Sequence, residues 1–182
     1  RDMKLSRRRF TQAGLAALTL GTLGSASALA EKRQLLRAPI PSSGELLPII
    51  GIGTNRFGVG ESEALRAPLR DVLRQFHALG GSVIDTSPMY NRSERVIGDI
   101  IQAGSSRDAM FIATKVWTDG EQAGIRQMND SARLMKTEVI DLMQVHNLRD
   151  TDIHMKTISD WQERERIRYY GLTHYIASAN DA

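Results

Sequence analysis

The chain has 182 residues, 41% of them apolar and 25% charged, which is typical of a globular domain with a sizeable core. It contains no cysteine, which excludes disulfides, thiolate nucleophiles and cysteine-based metal sites. The formal net charge of +3 comes from the N-terminal segment, because residues 31–182 carry 19 basic and 20 acidic residues, and so it does not indicate a nucleic-acid partner.

Residues 1–30 have the layout of a secretory leader. "KLSRRRF" is basic, "AGLAALTLGTLG" is apolar, and Ala28-Leu29-Ala30 forms an A-x-A cleavage pattern. Arg7 and Arg8 stand in the twin-arginine form S-R-R-x-F. A membrane anchor is the alternative, but this apolar run of 12 residues is shorter than the about 20 that span a bilayer. The sequence therefore predicts a twin-arginine signal peptide, with the twin-arginine export machinery as partner. It also predicts a mature chain in the periplasm, or otherwise exported, without a membrane span.

Five short apolar runs without polar alternation follow, as expected for parallel strands that are covered on both sides. The centres of the last four runs, Ile84, Ile112, Leu142 and Tyr170, are spaced by 28, 30 and 28 residues. The five predicted strands are "PIIGIG" (48–53), "SVID" (82–85), "MFIATK" (110–115), "VIDLMQVH" (139–146) and "IRYYGLTHY" (167–175).

Apolar stripes with helical spacing fill the gaps between these runs. Pro68 suits a first helical turn and Gly80-Gly81 a helix end, while the second helix is expected to close near Gly104. A fourth, weaker helix covers 152–165. The stripes consist of Leu69, Val72, Leu73, Phe76 and Leu79, then Val96, Ile97, Ile100 and Ile101, then Ile125, Met128, Ala132 and Met135, then Ile153, Ile158 and Trp161.

Strands that alternate with helices predict βαβ units, a parallel sheet and an α/β fold. No G-x-G-x-x-G opens a helix after the first strand, which weakens a dinucleotide-binding Rossmann interpretation. A (β/α)8 TIM barrel fits better, but it takes eight units and about 250 residues. We therefore predict that residues 31–182 form such a barrel truncated to about five units. A finished half-barrel that dimerises is the alternative.

Polar residues stand at the ends of three predicted strands. Asp85 ends the second strand with Tyr90 in the following loop, Lys115 ends the third, and His146 ends the fourth. In a parallel barrel these ends open onto one face, so the four side chains are expected to converge.

Each of these residues also has a structural interpretation. Asp85 could instead cap the following turn, and Lys115 could extend its ammonium group to solvent. Tyr90 could be a surface aromatic residue, and His146 could be a hydrogen-bonded residue of the core. An Asp and a Lys that both end buried strands nevertheless need each other, because an unpaired buried charge is costly. The ammonium group of Lys115 is then expected to lower the pKa of Tyr90 and make it a proton donor.

Four motifs, "VIDTSPMYNRSERVIGDII", "FIATKVW", "DLMQVHN" and "RIRYYGLTHY", resemble the aldo-keto reductase family in their order and approximate spacing. The resemblance runs from about residue 35 onward. It implies a (β/α)8 barrel that uses NADP(H) to reduce aldehydes and ketones. It also implies that "LLRAPIPSSGELLP" (35–48) is an N-terminal β-hairpin that closes the bottom of the barrel.

The resemblance further implies a catalytic tetrad. Tyr90 would protonate the carbonyl oxygen, Lys115 paired with Asp85 would tune Tyr90, and His146 would orient the carbonyl. The family's Ser-Asn pair after strand five is replaced here by Thr173-His174. By the same resemblance, the residues expected at the cofactor are Gly53, Thr54, Asp85, Thr173 and His174, and those expected at the substrate are Trp117 and Asn147.

Three interpretations of function remain open at this point. The first is an exported NADP(H)-dependent oxidoreductase acting on a small carbonyl compound, represented here by its N-terminal portion, with the fragment itself expected to be inactive. The second is a non-catalytic nicotinamide-binding sensor or complex subunit, and the third is a degenerate gene remnant. A metal-dependent barrel is poorly supported, since no acid and histidine cluster has metal-ligand spacing.

Overall fold

The computed structural model describes residues 35–104 and 107–176, which lie within one compact unit, 35–182. Its first element is a hairpin of β1 (Arg37–Pro39) and β2 (Leu46–Pro48), which pair antiparallel. The hairpin expected over 35–48 is confirmed. Its turn contacts the start of a distant strand, because Glu45 accepts hydrogen bonds from Arg168 at 2.5 Å and from Tyr169 at 2.6 Å. The predicted signal peptide at residues 1–30 lies outside the described residues.

In the described part of the chain, five parallel strands form one sheet in sequential order. Four helices and a 3₁₀ turn, Arg107–Ala109, connect them. The strands are β3 (Ile52–Gly53), β4 (Val83–Asp85), β5 (Phe111–Val116), β6 (Ile140–His146) and β7 (Ile167–Thr173). The helices are α1 (Glu63–Ala78), α2 (Ser93–Ala103), α3 (Glu121–Met135) and α4 (Thr151–Glu163). Such an order is that of part of a (β/α) barrel, as predicted.

The hydrophobic core lies between the sheet and its helices. Because side chains alternate along a strand, every second residue faces the helices and the others line the concave side. Met143 and Val145 of β6 are 0% exposed in this core, whereas Leu142, Gln144 and His146 are half-buried on the concave side. Among the described residues, no helix is both long and apolar enough to cross a membrane.

Two boundaries differ from the sequence-based expectation. The first predicted strand, 48–53, is divided: Pro48 pairs with Arg37 in the hairpin, and Ile52 and Gly53 pair with β4. Helix α1 begins at Glu63, so Pro68 lies inside it and not in its first turn. The extra turn escaped the apolar pattern because its residues are largely polar or exposed, including Arg66, which forms an ion pair with Asp99 on α2 at 2.6 Å.

Candidate active site

The C-terminal ends of β4, β5 and β6 bring the predicted tetrad together. Asp85 is the last residue of β4 and His146 the last of β6, while Lys115 is the penultimate residue of β5. Their strand neighbours Ile84, Thr114 and Val145 are 0% exposed on the helix side of the sheet. The three polar side chains therefore project onto the concave side at one end of the sheet.

Lys115 and Asp85 form the predicted ion pair. The Lys115 Nζ donates to Asp85 Oδ1 at 2.7 Å, to Oδ2 at 2.9 Å and to the Thr86 carbonyl at 2.8 Å. The side chain of Lys115 is 6% exposed and that of Asp85 41% exposed. The lysine is thus buried with its charge compensated, and the carboxylate faces the open side of the pocket.

Tyr90 lies over this ion pair. Its backbone N–H donates to the Ser87 carbonyl at 3.0 Å, and the loop turns the ring so that its centroid lies 5.3 Å from the Lys115 Nζ. Burial, followed by the negative charge of Asp85, raises the pKa of Tyr90 above its ordinary value. The expectation that Lys115 lowers this pKa is therefore wrong for this arrangement, because Asp85 compensates the ammonium charge. Tyr90 keeps its proton at neutral pH, as a proton donor must.

His146 is a neutral side chain in the same pocket. Burial, followed by the charges of Lys115 and His174, lowers the pKa of His146 below its ordinary value. Its ring meets Trp117 edge to face at 6.3 Å between centroids. The buried Nδ1 of His146 has no hydrogen-bond partner among the described residues. A neutral imidazole of this kind can donate one hydrogen bond to a bound carbonyl group.

Asn147, the predicted substrate-pocket residue after His146, has a left-handed backbone with φ of 55°. Its N–H donates to the Thr173 carbonyl at 2.8 Å, which joins the ends of β6 and β7. Its buried Oδ1 accepts no hydrogen bond from the part of the chain that the structure describes. This oxygen is therefore a buried acceptor without a partner among the described residues.

The residues expected at the cofactor differ in their surroundings. Thr54 is fully buried, and both its N–H and its hydroxyl donate to the Asp85 carbonyl, at 3.0 and 2.8 Å, so it anchors the strand end. A Cβ added at Gly53 meets nothing within 4 Å in the described structure, so the surface there is open. His174 accepts the Ile176 N–H at Nδ1 and stacks on Tyr175, with centroids 5.4 Å apart.

A buried acid that was not predicted from the sequence, Glu94 on α2, lies next to this site. It is 2% exposed and accepts a hydrogen bond at 2.7 Å from the hydroxyl of Thr114, the residue before Lys115. Burial raises the pKa of Glu94, although Thr114 and Lys115 oppose that effect. The sequence does indicate its burial, because Glu94 precedes the buried Ile97 and Ile101 by three and seven residues and so lies on the same face of the helix.

Replacing Glu94 by glutamine is expected to remove a pH dependence of stability. A carboxyl whose folded pKa is raised stabilises the fold fully below its unfolded pKa, and this contribution is lost as pH rises through the folded pKa. The free energy of unfolding of Glu94→Gln, relative to that of the parent, should therefore increase as pH rises above about 4.5. Urea unfolding of both proteins from pH 4 to 8 measures this difference. The exposed Glu163→Gln is the control, and an equal trend there would contradict the prediction.

Known proteins resemble this chain in sequence and in fold. A model of the aldo/keto reductase family matches residues 49–181. Methylglyoxal reductase DkgA of Yersinia pestis is 26% identical over 137 residues, which cover 75% of this chain and 46% of that protein. A crystal structure of an aldo-keto reductase from Klebsiella pneumoniae in complex with NADPH has a TM-score of 0.67 and 26% identity, and covers 79% of this chain and 52% of that one.

A third comparison concerns the fold alone. The holo form of aldo-keto reductase AKR11C1 from Bacillus halodurans is 22% identical, with a TM-score of 0.68 over 81% of this chain and 53% of that one. The predicted barrel architecture is thereby confirmed as far as the described strands extend. The chain spans slightly less than half the length of the first two curated relatives that it matches, at 46% and 48%.

Proposed function

Because this chain belongs to the aldo/keto reductase family, we propose that the whole protein reduces aldehydes or ketones to alcohols with NADPH. The observation that carries the proposal is the contact set of Lys115 with Asp85 and with the Tyr90 ring, at the same strand-end face as His146. A protein that merely binds a nicotinamide has no need of a buried lysine, paired with a carboxylate, beneath a protonated phenol.

The described residues fit a nicotinamide cofactor. Open space lies over Gly53, where a Cβ would meet nothing within 4 Å in the described structure, next to the half-exposed carboxylate of Asp85. The unpartnered Oδ1 of Asn147 is an acceptor of the kind that a carboxamide NH₂ requires. Gly53, Asn147, Thr173 and His174 would border the ring, and the cofactor would supply the hydride. The Klebsiella relative was crystallised with NADPH, which supports this choice.

Each residue of the tetrad then has a stated task. Tyr90 donates its phenolic proton to the carbonyl oxygen of the substrate as negative charge develops there. Lys115 lies 5.3 Å from the ring centroid and offsets the carboxylate charge of Asp85, which would otherwise oppose the phenolate that this transfer leaves. Asp85 and the Thr86 carbonyl hold the lysine in place. Neutral His146 donates a hydrogen bond that orients the carbonyl group.

The test is turnover by the whole protein. NADPH oxidation is followed with methylglyoxal, which the name of the Yersinia relative suggests, and with a panel of larger aldehydes. We expect reduction of at least one of them with NADPH and binding of NADPH in the absence of substrate. Binding without turnover of any carbonyl compound would instead favour the non-catalytic nicotinamide-binding protein.

We also propose that residues 1–30 act as a twin-arginine signal and that the mature protein is periplasmic or otherwise exported. The support is the sequence itself: Ser6-Arg7-Arg8-Arg9-Phe10, the apolar run after it, and the A-x-A pattern that ends at Ala30. This route moves folded proteins, which suits an enzyme that acquires a nucleotide before export.

Replacing both Arg7 and Arg8 by lysine is expected to abolish export, because the twin-arginine signal depends on the arginine pair and not on charge alone. Fractionation of cells that express the parent and the double variant measures the exported fraction. Lys4→Arg is the matched control and should be exported like the parent. Equal export of parent and double variant would disprove the twin-arginine assignment.

A further inference from the structure

Two loops at the mouth of the candidate site are joined by a set of polar contacts. The first loop, 117–120, follows β5 and carries Trp117, and the second, 147–150, follows β6. The Arg149 Nε donates to Asp119 Oδ1 at 2.6 Å, and its Nη2 pairs with the second carboxylate oxygen. The Gly120 N–H donates to Asp150 Oδ2 at 2.6 Å. The two loops are therefore joined by an ion pair and by a hydrogen bond from a backbone N–H group.

A buried histidine connects the first loop to α4. His154 on α4 is 0% exposed, and its Nε2 lies 2.8 Å from the Thr118 carbonyl oxygen. The ring packs against Gly124 so closely that a Cβ there would come within 2.6 Å of it. The first loop is thus fixed from below by α4 and from the side by Arg149.

The backbone of the second loop has an unusual shape. Asn147, Leu148 and Asp150 are all left-handed, with φ of 55°, 54° and 50°. This region is unfavourable for a non-glycine residue such as Leu148 and less so for Asn147 and Asp150. Strain of this kind persists where surrounding contacts hold it, and it is concentrated at functional sites. Here the strained turn places Arg149 directly opposite the first loop.

The guanidinium of Arg149 lies over Trp117, with 5.1 Å between its Cζ and the ring centroid. Asp119 fixes the guanidinium in that position by a two-point contact. The edge of Trp117 meets the ring of His146, while 37% of the residue stays exposed at the pocket. Its backbone N–H donates to Gln127 Oε1 at 2.6 Å. The indole is held between a cation and a catalytic side chain.

We propose that Arg149, held by Asp119, is a positioning residue that fixes Trp117 as an aromatic wall and so favours carbonyl substrates large enough to contact it. The proposal rests on the proposed function, because it assigns substrate selection to the same pocket. A bulky aromatic substrate packs on the fixed indole, and pre-organising that surface lowers the cost of binding. A small substrate such as methylglyoxal does not reach the wall and gains nothing from it.

The experiment compares Arg149→Ala, Asp119→Ala and the double variant in the whole protein. Without this contact the indole must be ordered when the substrate binds, so we expect KM for phenylglyoxal to rise about two- to five-fold in each single variant. The kcat for phenylglyoxal and both constants for methylglyoxal should stay within experimental error of the parent. The double variant should match the single variants, because both substitutions break one unit.

A matched control and a second readout make this outcome decisive. Arg133 pairs with Asp130 at 2.9 Å on exposed α3, so Arg133→Ala removes a similar ion pair without an aromatic neighbour. Acrylamide quenching of Trp117, measured with Trp161 and every other tryptophan of the whole protein replaced by phenylalanine, should increase in the Arg149 and Asp119 variants and not in Arg133→Ala.

Unchanged quenching, equal KM changes for both substrates, or additive single effects would each overturn the proposal. If the parent reduces no carbonyl compound, the proposed function fails, and the quenching result alone decides whether Arg149 positions Trp117.

Discussion

Replacing Tyr90 by phenylalanine is expected to lower kcat for carbonyl reduction about 10²–10⁴-fold, the contribution typical of a positioned general acid. The substitution keeps the ring that lies against the Lys115 Nζ and removes the phenolic proton. NADPH affinity should barely change, because no cofactor contact is assigned to the hydroxyl. Stability should also change little, since the ring is half-buried beside an open pocket.

The measurement is steady-state reduction of an aldehyde, together with NADPH titration and thermal unfolding of the same protein. Tyr170→Phe is the matched control, because Tyr170 is 41% exposed on the helix side of β7 and away from the tetrad. Near-parental turnover by Tyr90→Phe would remove the phenol from the mechanism. Since the pKa of Tyr90 is raised from an ordinary value near 10, loss of its proton should not limit kcat in the parent below about pH 10.

Replacing Lys115 by methionine is expected to lower both activity and stability. Activity should fall on the order of 10²-fold or more, because the carboxylate of Asp85 is then uncompensated and opposes the phenolate left by Tyr90. The free energy of unfolding should fall by about 1–3 kcal/mol, the cost of leaving the buried Thr86 carbonyl without its donor. Breaking a fully buried ion pair costs about 3–5 kcal/mol. The loss here should be smaller, because Asp85 is 41% exposed and its carboxylate can turn to solvent.

Lys136→Met is the control for this prediction. Lys136 pairs with Asp99 at 2.8 Å but is 40% exposed, so its loss should cost less than about 1 kcal/mol. Urea unfolding of both variants measures the difference. If Lys115→Met is as stable as Lys136→Met, the lysine is solvated in solution and its contact with Asp85 has no structural role.

The sequence predicts strand ends well and the environment of a side chain less well. Asp85, Lys115 and His146 could be placed together because apolar runs end at them, and parallel strands open onto one face. The helix bounds of α2 to α4 also follow from their apolar spacing. The extra first turn of α1 does not follow from this spacing, because it contains Arg66, which forms an ion pair with Asp99, and an apolar pattern does not indicate ion pairs.

The direction of the Tyr90 pKa could not be read from residue types. It depends on whether the ammonium charge of Lys115 is compensated by Asp85 or acts on the phenol. In the structure the ammonium group donates hydrogen bonds to both carboxylate oxygens of Asp85. The contact of Arg149 with Asp119 and Trp117 was missed for a related reason. It joins Arg149 to residues 30 and 32 positions earlier in the chain, across two loops, and no periodic pattern connects them.

The alternation along β6 separates two kinds of evolutionary constraint. Met143 and Val145 are packed against the helices, so substitutions there change the scaffold. Leu142 and Gln144 face the concave side, so substitutions there change the interior surface beneath His146 with less effect on packing against the helices. The concave positions other than His146 can therefore vary, while the intervening residues preserve the fold.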